Sequence, residues 1–297
     1  MHLVAGATGL LGSAICEQLS RSKKKFCALV RKSSDPAKVA RLRALGAEIV
    51  HGDLKDPASL KAACRGVSDV LSTVSSTFSR QEGDSIATVD REGQIALIDA
   101  ATSAGVKRFL LVSFSMKPGL DCALSEAKQA AENRLMASGM SWVILRAGFF
   151  MDVWLSPMLG FDAAGGSARI YGPGRNPLSW IAVSDLAEYA VRVLDVPAAM
   201  NRIINVGGPQ ALSPLEVVKA FEDVTGKKFQ TEHVPLEALE AQRAAATDPM
   251  QHSFATLMLV YAGGDPMDMT EPLRLVPLKM TTVRSHAQRT VRGQSDV

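Results

Sequence analysis

The stretch that decides the fold is Leu3-Val4-Ala5-Gly6-Ala7-Thr8-Gly9-Leu10-Leu11-Gly12. An apolar run that reads as a strand, His2–Ala5, leads into three glycines spaced GxxGxxG, and a helical pattern, Leu10–Arg21, begins among them. A tight strand-to-helix turn needs the backbone freedom of Gly6. Close approach of a pyrophosphate favours Gly9, and a bare Gly12 lets the helix pack on the strand. The helix N-terminus then offers unpaired N–H groups and a positive dipole end to phosphates. Glycines alone are a weak signal. Here a strand precedes them, a helix follows, and a second strand comes about 20 residues on, which is the setting a dinucleotide-binding turn requires.

The pattern continues outward from the turn. Phe26–Val30, Glu48–Val50, Asp69–Thr73, Arg108–Ser113 and Trp142–Arg146 read as strands. They are apolar without strict alternation, as strands covered on both faces are. Between them Pro36–Leu45, Pro57–Ala63, Ile86–Ala104 and Ser125–Ser138 read as helices. Gly46, Gly105 and Gly139 each follow one, where a left-handed cap favours glycine. The alternation predicts an α/β fold with a doubly wound parallel sheet.

After Arg146 the rhythm breaks. Phe149–Phe161 is rich in Met and aromatics, and Gly165–Pro177 reads as loop. Helices are expected at Ser184–Leu194, with Ser184 or Asp185 near its cap, and at Ser213–Thr225, Glu237–Ala246, Gln251–Tyr261 and Thr281–Val291, with a strand at Arg202–Val206. The expected division is a dinucleotide-binding domain over residues 1–150 and a smaller C-terminal substrate lobe over 151–297 that contributes in part to the sheet.

The second strand ends Ala28-Leu29-Val30-Arg31-Lys32-Ser33. A site for NAD usually places Asp or Glu here to hold the ribose 2′-hydroxyl, but no acid occurs before Asp35. Arg31 and Lys32 offer positive charge and Ser33 a donor, which suits a 2′-phosphate, so NADP(H) is expected over NAD(H). The plainer reading of the pair is a solvated strand end. Gly52-Asp53-Leu54 follows the third strand, where Asp53 and Leu54 are placed to flank an adenine, while Asp56 is the better cap for the next helix.

Composition narrows the classes. The chain has 297 residues, 47% apolar and 21% charged, enough to bury a large core unaided. A net charge of +3 and 5% aromatics argue against nucleic acid. The four cysteines, Cys16, Cys27, Cys64 and Cys122, are scattered, without CxxC spacing, which suits free thiols in a reducing cytoplasm. None of His2, His51, His233, His252 and His286 has metal-ligand spacing, so no metal is expected. No apolar run is long enough for a transmembrane helix. Met1–Ile15 imitates a signal peptide but carries no Lys or Arg before its apolar run, and reads as structure. Leu273–Val297 holds five basic residues against Asp296 alone, and reads as a solvated helix with Val283, Ala287 and Val291 turned inward.

Six stretches carry a family resemblance: LVAGATGLLG at Leu3–Gly12, ALVRKSS at Ala28–Ser34, VHGDLKDPASL at Val50–Leu60, AGVKRFLLVSFS at Ala104–Ser115, SEAKQAAENRLMASGMSWVILRAGFF at Ser125–Phe150 and MTTVRSHAQRT at Met280–Thr290. With them the chain resembles the atypical short-chain dehydrogenase/reductases, in particular the NmrA-like and isoflavone-reductase-like branch. The resemblance implies a Rossmann-type domain with NADP(H) across the C-terminal strand edge. It implies that Val74 and Ser75 lie along the cofactor, that Ser113 faces the nicotinamide, and that the backbone at Ala147–Phe150, including Gly148 and Phe149, closes over that ring.

One departure matters. Many enzymes of this superfamily use a Tyr-x-x-x-Lys pair, with both side chains on one helix face. Here the residue four before Lys128 is Leu124, and Tyr171, Tyr189 and Tyr261 are followed at that spacing by Arg175, Val193 and Asp265. The usual tyrosine acid is therefore absent. By resemblance Lys128 takes over, binding the cofactor ribose and handling a proton, with Ser113 beside a substrate oxygen. Without the resemblance Lys128 reads as a surface lysine of an Ala- and Glu-rich helix.

Phe150, Trp154, Met158 and Tyr171 are the candidate substrate contacts, with Trp180 a secondary candidate, although Met and aromatics at such spacing are more often packing than pocket. The leading expectation is an NADPH-dependent reductase acting on a small flat or apolar electrophile, such as a conjugated carbonyl or quinone. The alternative is a non-catalytic redox sensor or assembly protein that binds the dinucleotide and reports to a protein partner.

Overall fold

The computed structural model describes residues 1–79, 81–117 and 120–293; Asp296 of the basic tail lies outside them. The strands are β1 His2–Ala5, β2 Phe26–Val30, β3 Glu48–His51, β4 Asp69–Ser72, β5 Arg108–Phe114, β6 Ser141–Ala147, β7 Phe149–Phe150, β8 Phe161–Asp162, β9 Ser167–Tyr171, β10 Leu178–Ile181, β11 Arg202–Val206, β12 Ala211–Leu212 and β13 Gln230–Val234. The α-helices are α1 Leu10–Arg21, α2 Pro36–Ala44, α3 Pro57–Ala63, α4 Gln94–Ser103, α5 Ala123–Met136, α6 Met151–Trp154, α7 Val183–Val193, α8 Pro214–Thr225, α9 Leu236–Ala245, α10 Pro249–Gly263, α11 Thr270–Leu275 and α12 Val283–Val291.

Seven strands form one sheet in the order β11-β6-β5-β4-β1-β2-β3. The pairings β1–β2, β1–β4, β2–β3 and β4–β5 are parallel. Strands β1, β2 and β4 are buried almost throughout, which explains why they lack polar alternation. Asp35 and Asp56 cap α2 and α3 through their carboxylates, each with proline as the first helical residue. Gly46, Gly105 and Gly139 take the positive φ expected after helices.

The chain clusters into two compact units. The first comprises Met1–Ser113, Ala123–Leu145 and Ala187–Ile204; the second comprises Phe114–Cys122, Arg146–Leu186 and Asn205–Val297. In the first, Leu3, Leu60, Val70, Leu97, Phe109, Leu111 and Ile144 share a fully buried core. In the second, Trp180, Phe221, Ile170 and Leu239 anchor another.

Three expectations need correction. The stretch read as loop, Gly165–Pro177, contains β9, whose Ala168 and Ile170 point into the core and whose partners are β8 and β13. Its short polar–apolar alternation was masked by the flanking Gly and Pro. Helix α7 begins at Val183, which places Ser184 and Asp185 in its first turn, near the cap as expected; the N–H of Val183 donates to Asp152 Oδ2, and Asp185 accepts from the backbone and hydroxyl of Thr281. Ile86–Ala104 is not one α-helix, because Ile86–Gly93 is π-helical and α4 begins only at Gln94. In α12, Val283 and Ala287 are buried but Val291 is 49% exposed, beyond the reach of the core at the helix end.

All four cysteines are buried thiols outside any disulfide. Burial pushes the Cys16 thiol up to about 12 and those of Cys27 and Cys64 to about 11, so none of these three is poised as a thiolate. Among the described residues no helix is long and apolar enough to cross a membrane, and no group of His, Cys, Asp or Glu is arranged to hold a metal.

Candidate functional site

In the sheet, β1 lies between β2 and β4, so the chain winds outward to β3 and then crosses back to β4. The crevice beyond the carboxyl ends of β1 and β4 is the switch point where such sheets take ligands. Gly6 closes β1 there with φ +84°, and a Cβ on it would stand 2.7 Å from Thr73 Oγ1, just after β4. The Gly9 N–H donates to Gly6 O at 2.9 Å. As the residue before α1, Gly9 places no side chain over the helix end. A Cβ on Gly12 would meet Gly6 O at 2.0 Å. Gly9 is exposed and Thr8 and Leu10 half-buried, whereas the Leu11 side chain is core. Helix geometry leaves the first N–H groups of α1 without intrahelical acceptors, so this cradle fits a pyrophosphate.

Arg31, at the end of β2, reaches Asp84 Oδ2 at 2.6 Å, and Lys55 reaches Asp84 Oδ1 at 2.7 Å. Ser79 Oγ also donates to Asp84, and Ser33 Oγ donates to Gln81 Oε1 at 2.8 Å. Burial raises the Asp84 carboxyl, but Lys55, Ser79 and Arg31 outweigh it and draw it down to about 2. Lys32 is exposed. Asp53 accepts from the Lys55 N–H, and its own N–H donates to Ser59 Oγ; Leu54 is buried, its Cβ 2.6 Å from where a Cβ on Gly93 would stand.

Lys128 is not a surface lysine: its side chain, on α5, is 6% exposed. Its Nζ lies 2.9 Å from Asp90 Oδ1 and donates to Val74 O at 3.1 Å. The other Asp90 oxygen accepts from the Ser76 N–H at 2.9 Å and from Ser76 Oγ at 2.5 Å. Burial raises the Asp90 carboxyl, but the Lys128 charge and the two Ser76 hydrogen bonds prevail and hold it below the usual range. Val74 is half-buried, and Ser75 is exposed with its hydroxyl 2.8 Å from Thr77 Oγ1. Ser113, near the end of β5, is 5% exposed and its Oγ has no hydrogen-bond partner. A buried hydroxyl without a partner is uncommon and marks a place where a ligand or water completes the bonding. The structure thus joins Lys128 to Val74 but forms no hydrogen bond between Lys128 and Ser113.

In the second unit, Gly148 N–H donates to Val206 O at 2.9 Å, and a Cβ on Gly148 would meet Ser179 O at 2.5 Å. Phe149 is buried, with its ring centroid 4.9 Å from Trp154 and 5.9 Å from Tyr261, on which Trp154 stacks at 5.2 Å. Phe150 is half-buried and Met158 is 63% exposed. Tyr171 donates to Leu159 O at 3.2 Å and borders an open concavity of about 830 Å³ with Arg169, His233, Phe254 and Met258. Trp180 is 1% exposed with its indole N–H on Leu212 O, so it serves packing.

Asp90, Ser76, Lys55 and Asp84 were not singled out from the sequence. Asp90 did carry a signal. It falls on the same helical stripe as Ile86, Gly93 and Leu97, so a carboxylate on that stripe needs a buried partner.

Fold and turn define a Rossmann-type α/β protein with a dinucleotide cradle at its switch point. The chain belongs to the NmrA-like family, which matches residues 2–286. It is 33% identical over 281 residues to an NAD(P)H azoreductase from Xenophilus azovorans, covering 93% of this chain and 92% of that protein. It is 31% identical to an isoflavone reductase homolog from Zea mays, covering 97% of each. Among solved structures, an NADPH-dependent quinone oxidoreductase from Escherichia coli in complex with NADPH superposes with a TM-score of 0.79 at 22% identity, covering 98% of this chain and 100% of that one.

Proposed function

We propose that this chain is an NADP(H)-dependent reductase whose acceptor is a small, flat, conjugated molecule, of the azo or quinone type. The observation that carries the reading is the buried Lys128 ammonium, tied to Val74 O where β4 gives way to the crevice. Azoreductase and quinone-reductase relatives support the acceptor class. A nicotinamide dinucleotide, when bound, supplies the two electrons of the reduction. Gly6, Thr8, Gly9, Leu10, Leu11 and Gly12 hold its pyrophosphate through backbone N–H groups and the α1 dipole. Arg31, Lys32 and Ser33 take the 2′-phosphate, and Asp53 and Leu54 flank the adenine. Val74 and Ser75 run beside the dinucleotide. Lys128 spends one N–H on Val74 O and one on Asp90, which leaves its third for the ribose hydroxyls and for a proton passed at Nζ. Ser113 Oγ offers its unused hydrogen bond to the acceptor. A conjugated acceptor delocalises the charge it gains, so Lys128 alone serves as the proton-handling group in place of the missing tyrosine.

Titrating NADPH and NADH against nicotinamide fluorescence tests the site, and adding azo dyes and quinones to the NADPH complex tests turnover. NADPH binds more tightly, and Arg31→Ala weakens NADPH about 10- to 100-fold, the worth of a hydrogen bond to a charged group, while barely moving NADH. Failure of both dinucleotides to bind sinks the whole reading. Tighter NADH sinks the phosphate assignment alone. Binding without turnover of any acceptor makes the chain a cofactor-binding protein of the sensor or assembly kind.

A further inference from the structure

Asp84 is held by the set of groups that a phosphate would choose. Two cations from different elements meet its two oxygens, Arg31 after β2 at 2.6 Å and Lys55 before α3 at 2.7 Å, and the Ser79 hydroxyl adds a third donor. Its side chain is only 2% exposed, while those of Arg31 and Lys55 are 31% and 29% exposed. The carboxylate is thus nearly sealed, and the cations face solvent on their other side. Gln81, from the same stretch as Asp84, takes the Ser33 hydroxyl, and Lys55 also donates to Glu82 O at 3.0 Å. Residues Gln81–Asp84 therefore engage both Arg31 and Ser33, the groups assigned above to the 2′-phosphate.

We infer that Asp84 is the specificity-determining residue of this cofactor site: its carboxylate stands in for the 2′-phosphate on Arg31 and Lys55, and a 2′-phosphorylated dinucleotide binds by displacing it. The inference rests on the proposed dinucleotide site and adds Lys55 as a second phosphate ligand. A dianion cannot share both cations with a carboxylate without strong like-charge repulsion. The exchange of one anion for another then sets how far NADPH is preferred over NADH. NADH has no group that competes for Arg31, so it binds with Asp84 in place.

The test compares Asp84→Asn with the wild-type protein by NADPH and NADH titration, with melting curves to check folding. Asparagine keeps the shape and removes the charge. NADPH binds Asp84→Asn about tenfold more tightly, in line with freeing a charge-assisted hydrogen bond, and NADH shifts far less. Unchanged or weaker NADPH binding overturns the inference and makes Asp84 a group that orients Arg31 for the phosphate. A second measurement needs no variant. Hydrogen exchange of wild-type peptides spanning residues 81–88 rises with saturating NADP+ relative to NAD+ if Asp84 is displaced. Equal or slower exchange with NADP+ overturns it. If wild-type protein binds neither dinucleotide, the site reading has failed instead, and if Arg31→Ala loses the NADPH preference while Asp84→Asn does not tighten it, only the Asp84 inference has failed.

Discussion

Lys128→Met lowers the turnover of NADPH with an azo or quinone acceptor by about 10²- to 10⁴-fold, the range for removing a positioned proton-handling group. Lys128 is the buried cation where β4 ends, its Nζ fixed by Asp90 and Val74 O, and the chain has no tyrosine four residues before it to share the task. Methionine keeps most of the volume and removes every donor. NADPH binding, followed by fluorescence, weakens less than turnover falls, because the pyrophosphate cradle and Arg31 stay. Wild-type turnover in this variant would strip Lys128 of any chemical role and leave it a structural ion-pair member.

The second large effect is on stability. Asp90→Ala leaves the Lys128 ammonium buried without its counter-ion and removes the acceptor for both Ser76 donors, and lowers unfolding free energy by about 3–5 kcal/mol. Both side chains are almost wholly buried, so solvent screening takes little from that figure. Replacing the pair together, Lys128→Met with Asp90→Asn, recovers most of the loss, since a buried ion pair exchanged for neutral groups of similar volume is often close to neutral. Denaturant melts of the wild type and the two variants check this, and a double variant as unstable as Asp90→Ala would refute the pairing. The pH dependence follows from the lowered Asp90 value. A carboxyl held below its ordinary 3.8 when folded contributes stability that is present above 3.8 and is lost as the pH falls through its folded value. The stability gap between wild type and Asp90→Ala therefore narrows on acidification below about 3.8, and is flat through neutral pH.

The two predictions also show where sequence reading reached its limit. The glycine turn, the strand–helix alternation and the caps at Gly46, Gly105 and Gly139 were legible because each is a local requirement. A backbone that needs positive φ, or a helix that needs a stop, writes its demand at that position. Lys128 was found by resemblance, and spacing alone read it as a solvated residue. Its partner lies 38 positions earlier, on a π-helical stretch, and although its stripe calls for a buried partner, only the folded chain shows that the partner is Lys128. Asp84 escaped for a related reason, as its ligands come from after β2 and before α3, and only the folded sheet brings them together. The short strands β7 to β9 were lost among Met, aromatic and Gly-Gly signals that promise loops. β8 and β9 pair with each other, but β9 also needs β13, a neighbour distant in sequence.

The order of strands has a bearing on how the chain is made. β6 is flanked by β5 and by β11, and β11 begins only at Arg202, some sixty residues after β6 starts. Asn201 ties that late strand back by accepting from the Trp142 N–H and donating to Trp142 O. During vectorial synthesis β1 to β6 leave the ribosome well before β11 does. A nascent chain that has reached Leu145 holds the dinucleotide cradle and most of its sheet, yet carries β6 as an open edge. That interval is the period in which the growing chain is most exposed to edge-to-edge association. Any truncation before Arg202 makes the exposure permanent.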